Sequence, residues 1–422
     1  MEPTHAAAVP DLTGTTSGEG RQCSPAAGVL LRAPGSDAPT GGVWPGWAIE
    51  RPRARRALTF DLARKLAKRH GTPTLALSRE TLVANFADLH KALPNVQLYY
   101  AVKANPHRQI LRLLRREGSC FDVGSIEEIR MARRAGAPPD ELLYTKPINK
   151  PEELRFAHAT GLRWFVVDSE HEIVKLAQCA PGANVLIRLR VSTKDAVIDL
   201  SYKFGAQFDD ILQLVRSAKQ AKLRPRGLAF HVGSQCISPF AYADALASCR
   251  KIFDLAASKK FILDTLDIGG GFPVSYVNPV MPIDRFCTPI AEALEKHFDQ
   301  CRIIAEPGRF LVANAVWLIT QVIGKSRRDG VPWYYIDDGL YGSFSGRLFD
   351  KCDYTIQSER DGDRELSVIA GPTCDSFDVL YTDRALAPVE MGDLLVVPGM
   401  GAYTSASAST FNGLPITRLV TF

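Results

Sequence analysis

The strongest constraint on this chain is a rhythm, a short apolar strand followed by an amphipathic stretch, repeated eight times from about residue 98 to residue 306. The strand candidates are "LYYAV" near 98, "CFDV" near 120, "LLYT" near 142, "WFVV" near 164, "VLIRL" near 185, "GLAFHV" near 227, "TLDIGG" near 265 and "RIIAE" near 302. Each gap can hold a helix, for example "SIEEIRMARRAGA" or "SEHEIVKLAQCA". Eight β-then-α units in roughly 220 residues match an α/β fold of the (β/α)8 TIM-barrel type. One strand, "TLAL" at 74–77, comes before them. After about residue 318 the rhythm changes to glycine-punctuated apolar strands ("VPWYYIDDGLYG", "LSVIAGP", "DLLVVPGMGAY"), which predicts a separate all-β domain.

Composition narrows the class. With 422 residues, 46% of them apolar and 23% charged, the chain can bury a large core as a soluble two-domain protein. The net charge of +5 is small for this length, and part of it sits in one cluster, "RPRARR" at 51–56. That argues against a nucleic-acid partner. No apolar run approaches the roughly 20 residues that span a bilayer, and the start lacks the pattern of a secretory signal. The expectation is a cytoplasmic protein with no membrane partner. The nine cysteines include no CxxC pair and no zinc-ligand spacing, so disulfides and metal are not expected. Residues 1–57 are rich in Gly, Pro, Ala, Ser and Thr without periodicity and read as a disordered extension, with a targeting peptide as the second reading.

The chemistry-bearing residues collect at the C-terminal ends of the proposed barrel strands, the catalytic face of such barrels. Lys103 follows "YYAV", Asp122 ends "CFD", Arg188 ends "VLIR" and His231 ends "LAFH". Gly269, Gly270 and Gly271 follow "LDI", and Glu306 with Arg309 follows "RIIA". A lysine at the edge of an apolar site can lose its proton and form a Schiff base with an aldehyde cofactor. Pyridoxal 5'-phosphate fits this set: the glycine turn and Arg309 suit its phosphate, Glu306 suits its ring nitrogen, and His231 offers a flat platform for the ring.

The blocks "YYAVKANP", "FDVGS", "HVGSQC", "LDIGGGFP", "IIAEPGRFLVANA", "DDGLYGSF", "GPTCDSFDVL" and "GAYTSASASTFNG", in this order over about residues 58–422, resemble the fold-type III pyridoxal-phosphate decarboxylases, most closely the eukaryotic-type ornithine decarboxylases. The resemblance implies an alanine-racemase-like pairing of the barrel with a β-sandwich-like domain, and a homodimer with active sites at the interface. The expected organisation is then an extension at 1–57, a segment at 58–77 joining the β domain, the barrel at 78–317 and the β domain at 318–422. It also implies Lys103 as the Schiff-base lysine, Glu306 opposite the ring nitrogen and His231 stacked on the ring. The phosphate would lie among Ser234, glycines 269 to 271, Arg309 and Tyr403, with Asp122, Arg188 and Ala101 lining the cofactor side. Cys374, Asp375 and Asp350 would reach in from the second subunit, with Tyr341 near the interface. Cys374 is then the expected proton donor to the substrate carbon.

Two carboxylates, Asp350 and Asp375, suit a distal ammonium, so the expected substrate is L-ornithine, with L-lysine beside it because one methylene discriminates by only about 1–3 kcal/mol. The expected products are putrescine and cadaverine, and the expected context is polyamine synthesis. "SGR" before "LFD" departs from the ornithine decarboxylase pattern and leaves the pocket length open. The alternatives are a diaminopimelate decarboxylase, whose corresponding block usually reads Cys-Glu, an alanine racemase, whose ring nitrogen faces an arginine, and a non-catalytic regulator of the antizyme-inhibitor kind.

Overall fold

A computed structural model of the chain describes residues 57–191, 196–198 and 200–422. The extension expected over 1–57, with its arginine cluster, lies outside the described residues except for Ala57. In chain order the first strands are β1 (Thr74–Leu77), β2 (Val96–Ala101), β3 (Cys120–Val123), β4 (Leu142–Tyr144), β5 (Trp164–Val167) and β6 (Asn184–Arg188). They continue with β7 (Ala196–Ile198), β8 (Arg224–Ala229), β9 (Ser234–Cys236), β10 (Thr265–Asp267) and β11 (Arg302–Ala305). The parallel barrel closes in the order β10-β11-β2-β3-β4-β5-β6-β8, the eight strands read from the sequence. Strands β7 and β9 form a separate antiparallel pair. Crossover helices start where serine caps them: Ser78, Ser125 and Ser169 each accept a backbone N–H from the first turn.

Strand alternation decides which side chains enter the barrel. Tyr99, Cys120, Leu143, Val166, Leu186, Ala229 and Ile304, one from each of seven barrel strands, pack as their own cluster. Their neighbours Tyr100, Phe121, Val185 and Leu228 belong instead to the large core. Because side chains alternate with a period of two, residues two or four positions beyond an inward filler share its face. Ala101 and Lys103 follow Tyr99, Asp122 follows Cys120, Arg188 follows Leu186, His231 follows Ala229 and Glu306 follows Ile304 in this way. The barrel floor and the polar groups at its mouth are therefore one pattern continued upward.

The remaining strands are β12 (Val316–Arg328), β13 (Val331–Ile336), β14 (Gln357–Ser358), β15 (Glu365–Ala370), β16 (Val379–Leu386), β17 (Leu394–Pro398) and β18 (Arg418–Thr421). They form a mixed sheet in the order β14-β17-β12-β13-β15-β16, with β1 antiparallel to β12 and parallel to β18. The β domain expected beside the barrel is this eight-stranded mixed sheet. In β12 the first half, 317–321, pairs with β17 and the second half, 322–328, with β13, and a register shift between Val322 and Gly324 interrupts the pairing with β13. A bulge bends and twists a strand, so one long strand can serve both halves.

One segment beyond the last long sheet strand, residues 401–403, reaches the barrel mouth. The Tyr403 N–H donates to the Ala104 carbonyl at 2.9 Å, and Asn105 Nδ2 donates to the Gly401 carbonyl at 2.9 Å. Among the described residues no helix is long and apolar enough to cross a membrane.

Candidate active site

A cavity of about 380 Å³ opens at the C-terminal ends of the barrel strands, within the usual range for a small-molecule site. Lys103, Arg188, His231, Ser234, Gly270, Gly271, Glu306, Arg309, Tyr403 and Ala101 all line it. Lys103 sits just beyond β2, in the 3-10 turn Val102–Ala104, so its stem leaves the apolar strand and its ammonium enters the cavity. Its side chain is 48% exposed, and the exposure is to the cavity it lines.

Acidic groups surround this amine. Lys103 Nζ donates to Asp122 Oδ2 at 2.5 Å, and the Thr145 hydroxyl donates to the other oxygen of the same carboxylate. Burial alone would drive the proton off Lys103, but Asp122, Glu306 and Tyr403 together outweigh it and raise the pKa. The sequence predicted deprotonation at an apolar rim. The structure surrounds the amine with acidic groups instead, holding it as an ammonium.

Glu306 and Asp267 form a buried carboxyl pair. Burial, then the charges of Asp267 and Asp122, push the Glu306 pKa well above the carboxylate range. Burial likewise pushes Asp267 up, to about 6. Asp267 Oδ1 accepts the Gly269 N–H at 2.9 Å, while Oδ2 has no donor among the other groups. Two adjacent carboxyls out of water hold one proton between them. Such a pair gives Glu306 a proton that can be presented to a ring nitrogen. The folded pair retains a proton that the unfolded chain releases above roughly pH 4, so stability falls as pH rises from there toward about 6. Asp267→Asn keeps the acceptor for Gly269 and removes one charge. In thermal melts of the cofactor-free chain it should be more stable than wild type at pH 7 and lose that advantage below pH 4; a pH-independent difference would refute the shared proton.

His231 is neutral: burial first, then Arg188 and Lys103, lower its pKa well below the ordinary imidazole value. Its Nδ1 accepts the Gly233 N–H at 2.9 Å, which leaves the remaining proton on Nε2 of a ring that lines the cavity. Arg188 lies 5.3 Å from the Phe204 ring.

The far end of the cavity is built for an anion. Arg309 is buried, with Nη2 donating to Ser234 Oγ at 3.2 Å and Nη1 to Tyr276 OH at 2.8 Å and Cys352 Sγ at 3.4 Å. Its guanidinium stands 4.9 Å over the Tyr403 ring. A Cβ on Gly270 would lie 2.5 Å from the Glu306 carbonyl and 3.2 Å from His231 Nε2. Gly271 has φ +116°, and a Cβ there would lie 2.5 Å from the Gly233 carbonyl. Only glycine lets the backbone approach this closely. An amine, a flat neutral imidazole, a buried acid and a guanidinium beside glycines thus converge on one cavity, the donor set that a flat phosphorylated aldehyde with a basic ring nitrogen requires.

Three of the residues named from the sequence are elsewhere. Cys374 is exposed, with its N–H and Sγ on Asn412 Oδ1 at 3.1 and 3.3 Å. Asp375 accepts from the Tyr341 hydroxyl and from the Phe377 N–H. The Tyr341 ring stacks on Phe411 at 4.4 Å, beside exposed Phe377, Leu414 and Ile416. None of these lines the cavity. Asp350 requires a correction: the sequence reading brought it in from a second subunit, but its carboxylate pairs with Arg309 of its own chain at 2.7 Å. It follows directly on the short helix Gly346–Phe349, which holds it against the guanidinium. Within "SGR", Arg347 pairs with Asp353 at 3.0 Å and lies 3.8 Å over the Tyr381 ring.

Sequence reasoning missed Asp267, Thr145, Phe204, Tyr276 and Cys352. Asp267 was legible: it ends a barrel strand directly before the quoted glycines. Thr145, two positions beyond the inward Leu143, was legible by the same parity, whereas Phe204, Tyr276 and Cys352 come from segments whose approach to the mouth no spacing encodes.

Comparison with known proteins agrees with this donor set. Residues 79–313 match the family model described as pyridoxal-dependent decarboxylase, pyridoxal binding domain. The lysine/ornithine decarboxylase of Selenomonas ruminantium is 38% identical over 358 residues, covering 85% of this chain and 91% of that protein. The ornithine decarboxylase of Rattus norvegicus is 36% identical over 344 residues, covering 76% and 74%. The structure of the lysine/ornithine decarboxylase of Vibrio vulnificus complexed with cadaverine superposes with a TM-score of 0.82 at 39% identity, covering 86% of this chain and 98% of that one. The chain belongs to the pyridoxal-dependent decarboxylases of fold type III, is most like ornithine decarboxylase among them, and takes pyridoxal 5'-phosphate as its cofactor.

Proposed function

We propose that the chain decarboxylates a basic L-amino acid, L-ornithine to putrescine and also L-lysine to cadaverine, as a homodimer with each site completed by the partner. The observation that carries the chemistry is the convergence of Lys103, His231, Glu306 and Arg309 on one cavity. The relatives named for ornithine and lysine support the substrate class.

Arg309, Ser234, Tyr403 and the Gly270–Gly271 backbone would hold the phosphate of the cofactor, His231 would support its ring, and Glu306 would partner its nitrogen. When bound, pyridoxal phosphate supplies the carbonyl that exchanges amines and the conjugated ring that accepts the electron pair left as carbon dioxide departs. Asp122 holds the Lys103 amine in position within the cavity. Glu306, with Asp267 beside it, would hold a proton facing the ring nitrogen. The apolar walls keep water from the reacting carbon, so the position of one proton donor decides where that carbon is protonated.

That donor is Cys374 of the second subunit. On its own chain it is exposed and away from the cavity, beside an apolar surface of the kind that marks an interface. Asp375 travels with it. Hydrogen bonds from Tyr341 and the Phe377 N–H hold its carboxyl below the ordinary range, so it remains an anion that can take the distal ammonium.

The test is carbon dioxide release by the purified protein from ornithine, lysine, arginine and meso-diaminopimelate. Ornithine and lysine should lead, their kcat/KM values within about two orders of magnitude because they differ by one methylene. Fastest release from the dicarboxylate would overturn the assignment.

A further inference from the structure

The Arg309–Asp350 pair is held at 2.7 Å with side chains only 4% and 13% exposed. A pair this deep persists only while each charge satisfies the other. Arg309 lines the cavity, and Asp350 stands against its guanidinium just outside that lining. The same nitrogen, Nη2, serves Asp350 Oδ2 and Ser234 Oγ, and the buried Nε has no hydrogen-bond partner. Arg309 is thus incompletely committed, and its strongest partner is an anion. Asp350 hangs from a tight turn: its N–H and that of Cys352 both donate to the Gly346 carbonyl, and Lys351 between them has φ +51°.

We propose that Asp350 is an exchangeable counter-ion of Arg309. A phosphate bound at Arg309 takes over the guanidinium and stands beside the carboxylate it has displaced. Like charges at that range repel, and a cation on Asp350 relieves the repulsion. Anion at Arg309 and ammonium at Asp350 therefore bind with positive coupling, which by linkage is reciprocal. In the enzyme this would tie retention of the cofactor phosphate to occupancy by a substrate's distal ammonium. The inference rests on the proposed placement of the phosphate and extends it by joining two subsites through one side chain.

The test is a calorimetric titration of inorganic phosphate into the full, cofactor-free chain at fixed ionic strength, with and without a saturating four-carbon diamine. The diamine should tighten phosphate binding by roughly fivefold or more. Asp350→Asn should bind phosphate more tightly than wild type without diamine, because the competing anion is gone, and should no longer respond to diamine. Two results would overturn the proposal: no diamine effect on wild type, or weakening by Asp350→Asn as large as that by Arg309→Ala, which would make Asp350 only a prop. The wild-type comparison decides even if the variant misfolds. Carbon dioxide release measured on the same preparation reports the proposed activity separately, so loss of coupling with intact decarboxylation sinks this inference alone.

Discussion

Replacing Lys103 with alanine should abolish the absorbance band that a bound aldehyde cofactor shows near the visible edge, and should lower carbon dioxide release by about 10³-fold or more. Among the described residues Lys103 and Lys146 are the lysines that line the cavity, and Lys146 is engaged by Glu153 at 3.0 Å. Removing the ammonium leaves Asp122, 1% exposed, with only the Thr145 hydroxyl as a side-chain partner, so a lower melting temperature is also expected. Lys103→Arg separates the two effects. It keeps a charge beside Asp122 and should melt near wild type, yet it should lose the band and the activity. A band surviving in Lys103→Ala would remove the lysine from its assigned role.

The same variant tests the dimer. Chains carrying Lys103→Ala and chains carrying Cys374→Ala should each be severely impaired, while mixing them should restore about a quarter of wild-type activity. Half of randomly paired two-fold dimers are mixed, and each mixed dimer rebuilds one intact site of two. No recovery on mixing would place both residues in one subunit's site, against the exposure of Cys374 on its own chain.

Glu306→Gln should lower kcat by roughly 10²–10³-fold, with a much smaller change in KM. The carboxyl stabilises charge that develops as carbon dioxide leaves, not the bound substrate, and glutamine cannot hold a positive ring nitrogen. Burial of the Glu306–Asp267 pair makes this effect large, because a fixed charge is worth more where water is excluded. Asp267→Asn should cost less, since it acts through Glu306, and the double variant should fall short of the product of the two single effects. Wild-type kcat in Glu306→Gln would transfer the role to another group.

Much of this site could be read along the chain because a barrel strand is a ruler. Alternation places Asp122 on the face of Cys120, Arg188 on that of Leu186, and Glu306 on that of Ile304, and the eight-fold rhythm brings those strand ends to one rim. Lys103 obeys the same parity through a turn. Asp267 obeys it too and could have been found by asking which inward position at the rim of β10 is polar.

What the chain alone determined was local and periodic: strand and helix order, the inward parity, and the glycines demanded by close backbone approach. Only the tertiary structure decided the rest, because it depends on the paths of segments with no fixed spacing to the barrel. The bend in β12 carries a single sheet around, the Gly346–Phe349 helix delivers Asp350 to Arg309 of the same chain, and the loop bearing Cys374 is held on the outside by Asn412. Electrostatics belongs to this second group as well. An ammonium after an apolar strand looks destined to lose its proton, and three-dimensional proximity to Asp122 and Glu306 reverses that, since charge–charge energy follows distance through space rather than along the chain.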